Sequence, residues 1–200
     1  MPIAYIGLGA NLPGPAGVPE ATLAAAAAQL GSLGRVVGRS SLYSTAPVGF
    51  ADQPRFLNAV MALETELSPR RLLKALLAME RKFGRVRPAG FANGPRTLDL
   101  DILLYGDLAI REHDLEIPHP RFAQRAFVLA PLHEIAPQIR DPRSAVTVSQ
   151  LFESLLPDPE GAIHAVVRVE SDVWRAGACG TGGGSRDAAR AGIRAHPAHG

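Results

Sequence analysis

The sequence predicts an α+β fold, an antiparallel sheet with helices packed on it. Three observations carry the prediction. Residues 56–66 and 98–104 alternate apolar and polar or small side chains in the two-residue rhythm of strands. An Ala-rich run after Pro19 and a Leu-rich run after Ser68-Pro69 each begin and end on helix signals. The elements then follow the order strand, helix, strand, strand, helix, strand, without the repeated βαβ crossovers of a doubly wound sheet.

Taken in order, residues 3–8 form the first strand, which ends at the turn cluster Gly9-Ala10-Asn11-Leu12-Pro13-Gly14. Pro19 and Glu20 open a helix that Gly31 or Gly34 stops. Residues 35–44 read as a strand around Val36, Val37, Leu42 and Tyr43, followed by a loop through Ala46-Pro47-Val48-Gly49. In the strand at 56–66, Leu57, Ala59, Met61 and Leu63 share one face, and Phe56, Asn58 and Val60 the other. Ser68 is a good N-cap with Pro69 at the first helical position. Leu72, Leu73, Leu76, Leu77 and Phe83 mark the apolar face, and Gly84 ends the helix. Glu80 falls on or beside that apolar stripe. In the next strand Leu98, Leu100, Ile102 and Leu104 are expected on one face, Asp99 and Asp101 on the other. A turn at Gly106-Asp107 leads to short segments ending at Ile117-Pro118-His119-Pro120. Helices over 124–135 and 146–156 and a last strand at 165–169 complete the body. The βαββαβ order suits a ferredoxin-like sandwich with helices on one face of the sheet and a C-terminal extension.

Length fits one domain with a substantial core. Composition divides it into a folded body at 1–172 and a Gly/Ala-rich tail at 173–200, expected to be disordered because it has too little apolar surface to offset its ordering entropy. No apolar run is long enough to span a bilayer, the N-terminus lacks a signal-peptide pattern, and the one cysteine, Cys179, has no partner. A cytoplasmic monomer is expected. The net charge of +2 is too small to argue for nucleic acid. However, Arg81, Lys82, Arg85, Arg87 and Arg96 share a segment with no acid, which reads either as a solvated loop or as an anion site.

Three constellations carry chemistry. Asp99 and Asp101 share a strand face where two like charges repel, and a hard divalent cation would relieve them. Alone, the same pair reads equally as a solvated acidic edge. The arginine segment could close on a polyphosphate and neutralise charge spread over its oxygens. Phe56 and Asn58 offer a stacking surface beside an amide that donates and accepts at once, which suits a flat heterocycle. Core packing of Phe56 and a turn contact of Asn58 explain the pair as well. Gly7-Leu8-Gly9-Ala10-Asn11-Leu12 lacks the third glycine of a dinucleotide fingerprint, and no phosphate-loop motif is present. A ferredoxin-like module binding RNA or a small regulatory ligand is the rival reading. The sequence has no RNP-like aromatic pattern, and such a regulator would not need the aspartates beside an arginine loop.

Ala4-Tyr5-Ile6-Gly7-Leu8-Gly9-Ala10-Asn11-Leu12, Ser41-Leu42-Tyr43-Ser44-Thr45, Asp52-Gln53-Pro54-Arg55-Phe56-Leu57-Asn58-Ala59, Glu80-Arg81-Lys82-Phe83-Gly84-Arg85-Val86-Arg87 and Gly94-Pro95-Arg96-Thr97-Leu98-Asp99-Leu100-Asp101 occur in this order. Together they resemble the 6-hydroxymethyl-7,8-dihydropterin pyrophosphokinase family of folate biosynthesis, over the chain's start to about residue 139. The resemblance implies transfer of the β,γ-pyrophosphoryl group of ATP to the pterin hydroxymethyl, with AMP leaving. It implies two magnesium ions on Asp99 and Asp101. It also implies a pterin site of Thr45, Ala46, Val48, Phe56, Asn58 and Phe127, and nucleotide contacts from Glu80, Arg87, Arg96, Ile102, His119 and Arg125. Arg85 and Arg87 would act with the aspartates as catalytic groups. The chain departs from the family pattern at Ala92-Asn93, where some relatives carry Arg-Trp, at Pro120 in place of Tyr, and at Ala46 in place of Pro.

Overall fold

The structure is a computed structural model and describes residues 1–47, 52–86, 94–156 and 166–176. Strands β1 (Ile3–Ala10), β2 (Arg35–Arg39), β3 (Leu42–Thr45), β4 (Phe56–Glu64), β5 (Asp99–Tyr105) and β8 (Val167–Val169) form one sheet; the short strands β6 (Ile110–Glu112) and β7 (Leu115–Ile117) pair separately. The main sheet runs β5-β1-β4-β3-β8, with β2 also on β4, and every pairing is antiparallel. Helices α1 (Pro19–Leu30), α2 (Pro69–Lys82), α3 (Ala126–Ile135), α4 (Val148–Ser154) and α5 (Asp172–Ala176) surround it. The ferredoxin-like order is therefore present, with β2 and β3 sharing the place of one expected strand.

That expected strand at 35–44 is broken at Ser40 and Ser41. The reason is a hydrogen-bond substitution: Val60 N donates to the Ser40 hydroxyl at 2.9 Å, while Ser40 N donates to Val60 O at 3.0 Å. A side chain thus takes a place that the backbone ladder would fill, and the Ser40 carbonyl turns away.

Helices cover both faces of the sheet rather than one. On the first face Leu23, Ala26 and Leu30 of α1 and Leu72, Leu76 and Met79 of α2 pack on Ile6, Leu8, Met61, Leu63, Leu100 and Ile102. On the second, Val128, Leu129 and Leu132 of α3 pack on Tyr5, Val60, Ala62, Leu103 and Leu104. The apolar composition of α3 and its lack of polar periodicity match a helix buried against a sheet. Ser68 caps α2 by accepting from Arg71 N, and Gly84 ends it with a φ of +81°, a left-handed conformation that costs a side-chain-bearing residue strain. Before α3, residues 122–124 form a short 3-10 turn, so the helix begins after the expected 124.

Leu104 departs from the expected alternation. The β1–β5 register shifts between Tyr5 and Ile6, which pair with Leu104 and Ile102, so Leu103 is an extra residue bulged from the ladder. Before the bulge, Leu98, Leu100 and Ile102 face α1 and α2. After it, Leu104 has turned to the α3 face and Tyr105 to the other.

The expected tail boundary at 172 also needs correction. Residues 173–176 belong to α5, and Trp174 is 4% exposed in the α1 core. Its indole N–H donates to the Ser40 carbonyl at 2.8 Å, and Arg39 stacks over its ring at 3.5 Å. The remaining tail, 177–200, lies outside the described residues. Trp174→Ala is expected to lower stability by about 3–5 kcal/mol, because it leaves a large cavity and an unpaired Ser40 carbonyl. Urea unfolding of the full chain measures this, and a loss below about 1 kcal/mol would contradict the packing described.

Candidate active site

The site lies on the second face of the sheet, at the end that α3 leaves uncovered. Three adjacent strands supply it. β4 presents Phe56 and Asn58, β5 presents Asp99 and Asp101, and β1 runs between them. The residues of β1 on this face are Gly7 and Gly9. Gly7 pairs with Val60 and Asp101, and Gly9 with Asn58 and Asp99. A Cβ on Gly9 would stand 3.0 Å from the Asn58 amide oxygen, so a larger residue would push that amide. The bare central strand was not singled out from the sequence. Its signal was the alternation of Tyr5, Gly7 and Gly9 against Ala4, Ile6 and Leu8.

Asp99 is held by two guanidiniums. Arg85 Nη1 lies 2.5 Å from Asp99 Oδ1 and Arg96 Nη1 lies 2.5 Å from Oδ2. Arg85 also pairs with Glu80, which is 2% exposed and accepts from Leu100 N at 2.9 Å. The acid on the apolar stripe of α2 is therefore stabilised by a cation and a backbone donor, as a buried carboxylate requires. Asp101 has less compensation. Burial pushes its carboxyl up to about 6, and repulsion from Asp99 and Glu80 adds to this, against the pull of Arg125 and Arg85.

The carboxylates fit a magnesium site. Their donors are hard oxygens on one strand face, and a cation beside Asp101 would offset both the burial and the repulsion from Asp99 and Glu80 that disfavour its charged form. Among the described residues no group of three or more His, Cys, Asp or Glu side chains converges as a metal cage. Magnesium commonly takes only one or two carboxylates, with phosphate and water completing the shell.

On the β4 side, Asn58 is buried, and its Nδ2 donates to Thr45 Oγ1 at 2.8 Å. Phe56 is half-buried, with the Arg96 guanidinium 5.6 Å from its ring centroid. Phe127, at the start of α3, has Arg125 5.4 Å from its ring. Ala46 follows Thr45 just past β3. Arg125 is coupled electrostatically to Asp99 and Asp101, which places its charge on the aspartate side; burial, then Arg121, lowers its pKa. His119 reaches the same region through β5, since its N–H donates to Leu103 O at 2.9 Å. Ile102 is the exception. Its side chain lies in the α1–α2 core, so only its main chain can meet a ligand. Val48 and Arg87 lie outside the described residues, as do Ala92 and Asn93.

A separate cavity of about 360 Å³, lined by Tyr43, Ala130, His133, Glu134, Phe152 and Val166, contains none of these residues. The charged groove across β1 is therefore distinct from that cavity.

His119 Nδ1 accepts from Arg121 N at 3.2 Å, which leaves the proton of the neutral ring on Nε2. Burial, then Arg125 and Arg121, pushes its pKa down to about 4, against Asp99. A depressed cation pKa means that stability is fully present above the ordinary value near 6.5 and is lost as pH falls from there through about 4. His119→Gln should remove that part of the acid destabilisation. Chemical unfolding between pH 7 and 4 checks this, and an imidazole NMR titration near 6.5 would contradict it.

The family model described as 7,8-dihydro-6-hydroxymethylpterin-pyrophosphokinase matches residues 5–137. The chain is 43% identical to a 2-amino-4-hydroxy-6-hydroxymethyldihydropteridine pyrophosphokinase of Synechocystis sp. over 76% of this chain and 75% of that one. It is 47% identical to the Pseudomonas aeruginosa protein of the same name, over 69% and 83%. Among solved structures it is similar in fold to wild-type Plasmodium falciparum HPPK-DHPS with pterin and p-hydroxybenzoate. The TM-score is 0.63 at 16% identity, covering 84% of this chain and 45% of that one.

Proposed function

The chain belongs to the 7,8-dihydro-6-hydroxymethylpterin-pyrophosphokinase family, and from that premise we propose how its residues divide the work. The reaction moves the β,γ-pyrophosphoryl group of ATP to the hydroxymethyl oxygen of 6-hydroxymethyl-7,8-dihydropterin, in folate synthesis. The new bond joins that oxygen to the β-phosphorus. The bond from the β-phosphorus to the α,β-bridging oxygen breaks, AMP leaves, and the hydroxyl proton is released from the attacking oxygen.

The observation that carries the assignment is the placement of Asn58 and Asp99 on either side of Gly9. A flat heterocycle over β4 can meet the Asn58 amide and present its hydroxymethyl arm across the bare strand to the aspartates. Phe56 and Phe127 are assigned to the two ring faces, with Thr45 orienting the Asn58 amide through its hydroxyl. Ala46 and Val48 belong to the loop that borders the ring.

Asp99 and Asp101 would hold magnesium, two ions in this reading. Bound there, the metal would neutralise phosphate charge and bring the phosphates to the carboxylates. Arg85 and Arg96 already lie against Asp99 and supply positive charge to the moving pyrophosphoryl group. Arg87, His119 and Arg125 complete the nucleotide side, with the main chain of Ile102. His119, neutral at pH 7, offers an Nε2–H donor rather than a charge. Glu80 holds Arg85 and fixes the start of β5. Catalysis is by positioning and electrostatic stabilisation, since a loose phosphoryl transition state needs little prior activation of the nucleophile.

The chain acts as a cytoplasmic monomer that needs no nucleic acid or membrane. Among the described residues no helix is long and apolar enough to cross a membrane.

Asp101→Ala should lower pyrophosphoryl transfer by about 10²–10³-fold or more, the range for losing one electrostatic stabiliser. AMP release with the pterin as acceptor measures it. Transfer that survives nearly unchanged would remove the metal assignment.

A further inference from the structure

Asn11 stands one residue past the end of β1 and is 2% exposed. Its side chain bonds in two directions. The amide oxygen accepts from Arg96 N at 2.8 Å, while Nδ2 donates to Gln53 Oε1 at 3.0 Å and to Pro54 O at 3.1 Å. Its own N–H donates to Arg96 O at 3.0 Å, and Leu12 N donates to the same carbonyl at 3.1 Å. An asparagine serving its own turn bonds within a few residues. These side-chain partners are 42, 43 and 85 residues away.

The segments so joined lead to opposite ends of the site. Pro54 lies two residues before Phe56, and Arg96 lies three before Asp99. Arg96 itself reaches both ends, since its guanidinium bonds Asp99 Oδ2 at 2.5 Å and stands 5.6 Å from the Phe56 ring centroid. A phosphate that draws Arg96 toward it therefore pulls on a backbone whose N–H and carbonyl are both tied to Asn11. The other half of the same buried amide fixes the entry to β4.

We propose that Asn11 is a positioning residue that couples the two halves of the site, so that filling the nucleotide side raises affinity on the pterin side and the reverse. Coupling between two binding equilibria is reciprocal, so the effect must be equal in both directions. The proposal rests on the assignment of Phe56 and Asn58 to the pterin and of Arg96 and Asp99 to the nucleotide.

Calorimetry on the full chain tests it. The pterin Kd is measured alone and with a saturating non-hydrolysable ATP analogue and magnesium, and the ratio is the coupling factor. The wild-type ratio should be at least about fivefold. Asn11→Ala should bring it to within about twofold of one, with the fold checked by thermal melting. A role in stability alone would lower the Tm and leave the ratio intact, which overturns the proposal, as does a wild-type ratio of one. If Asn11→Ala does not fold, Gln53→Ala decides: halving of the ratio or more supports the proposal, and an unchanged ratio overturns it. Asn58→Ala tests the underlying assignment separately. Pterin binding that survives that change shows the pterin side to be misassigned, whatever Asn11 does.

Discussion

The structure depends on how negative charge is balanced beside β5. Three carboxylates lie close together beside β5, Glu80 buried against its backbone and Asp99 and Asp101 on the groove face, with Arg85 paired to both Glu80 and Asp99 and Arg96 to Asp99. This arrangement is expensive for a folded chain, since buried like charges repel in a poorly screened environment. It is the charge pattern on which the proposed cation and polyphosphate binding rests. Glu80 shows the balance most clearly. It occupies a position that helix periodicity would give to a hydrophobic residue, and there it joins α2, Arg85 and the backbone of β5.

The sheet separates two jobs. Its α1–α2 face is continuous core, with strand residues that alternate cleanly into it. Its other face is shared, part covered by α3 and part left for the site. β1, as the strand between β4 and β5, belongs to both, and its side-chain pattern records this. Ala4, Ile6, Leu8 and Ala10 fill the core, while Gly7 and Gly9 leave the opposite face bare. Gly9 in an ordinary extended strand gives up packing and backbone order. Here that loss coincides with the Asn58 amide lying directly over its backbone.

Much of this was legible in the sequence because it follows from local rules. The alternation of 98–102 placed Asp99 and Asp101 on one face, and Ser68-Pro69 with Gly84 bounded α2. What was not legible depends on contacts distant in the chain. Ser40 breaks its strand because Val60 donates to its hydroxyl, and nothing near Ser40 announces that partner. Trp174 looked like the start of a low-complexity tail because Gly- and Ala-rich sequence begins two residues after it, yet its packing partners are Arg39 and Ser40. Asn11 read as a turn residue, and its partners lie in two other segments. Arg87 and Val48 rest on family resemblance alone.

The bulge at Leu103 has a consequence for how the protein tolerates change in length. One extra residue lets β5 serve two cores, and it separates the phase of the aspartates from the phase of Leu104 and Tyr105. Side-chain phase in a strand has only two values, so losing one residue there would exchange them. With Leu104 and Tyr105 anchored, Asp99 and Asp101 would turn beneath α2 and Leu98, Leu100 and Ile102 would turn out. Every residue type in the strand could be retained and the paired-aspartate face would still vanish. Substitutions along β5 act one side chain at a time, whereas a single deletion inverts the whole strand.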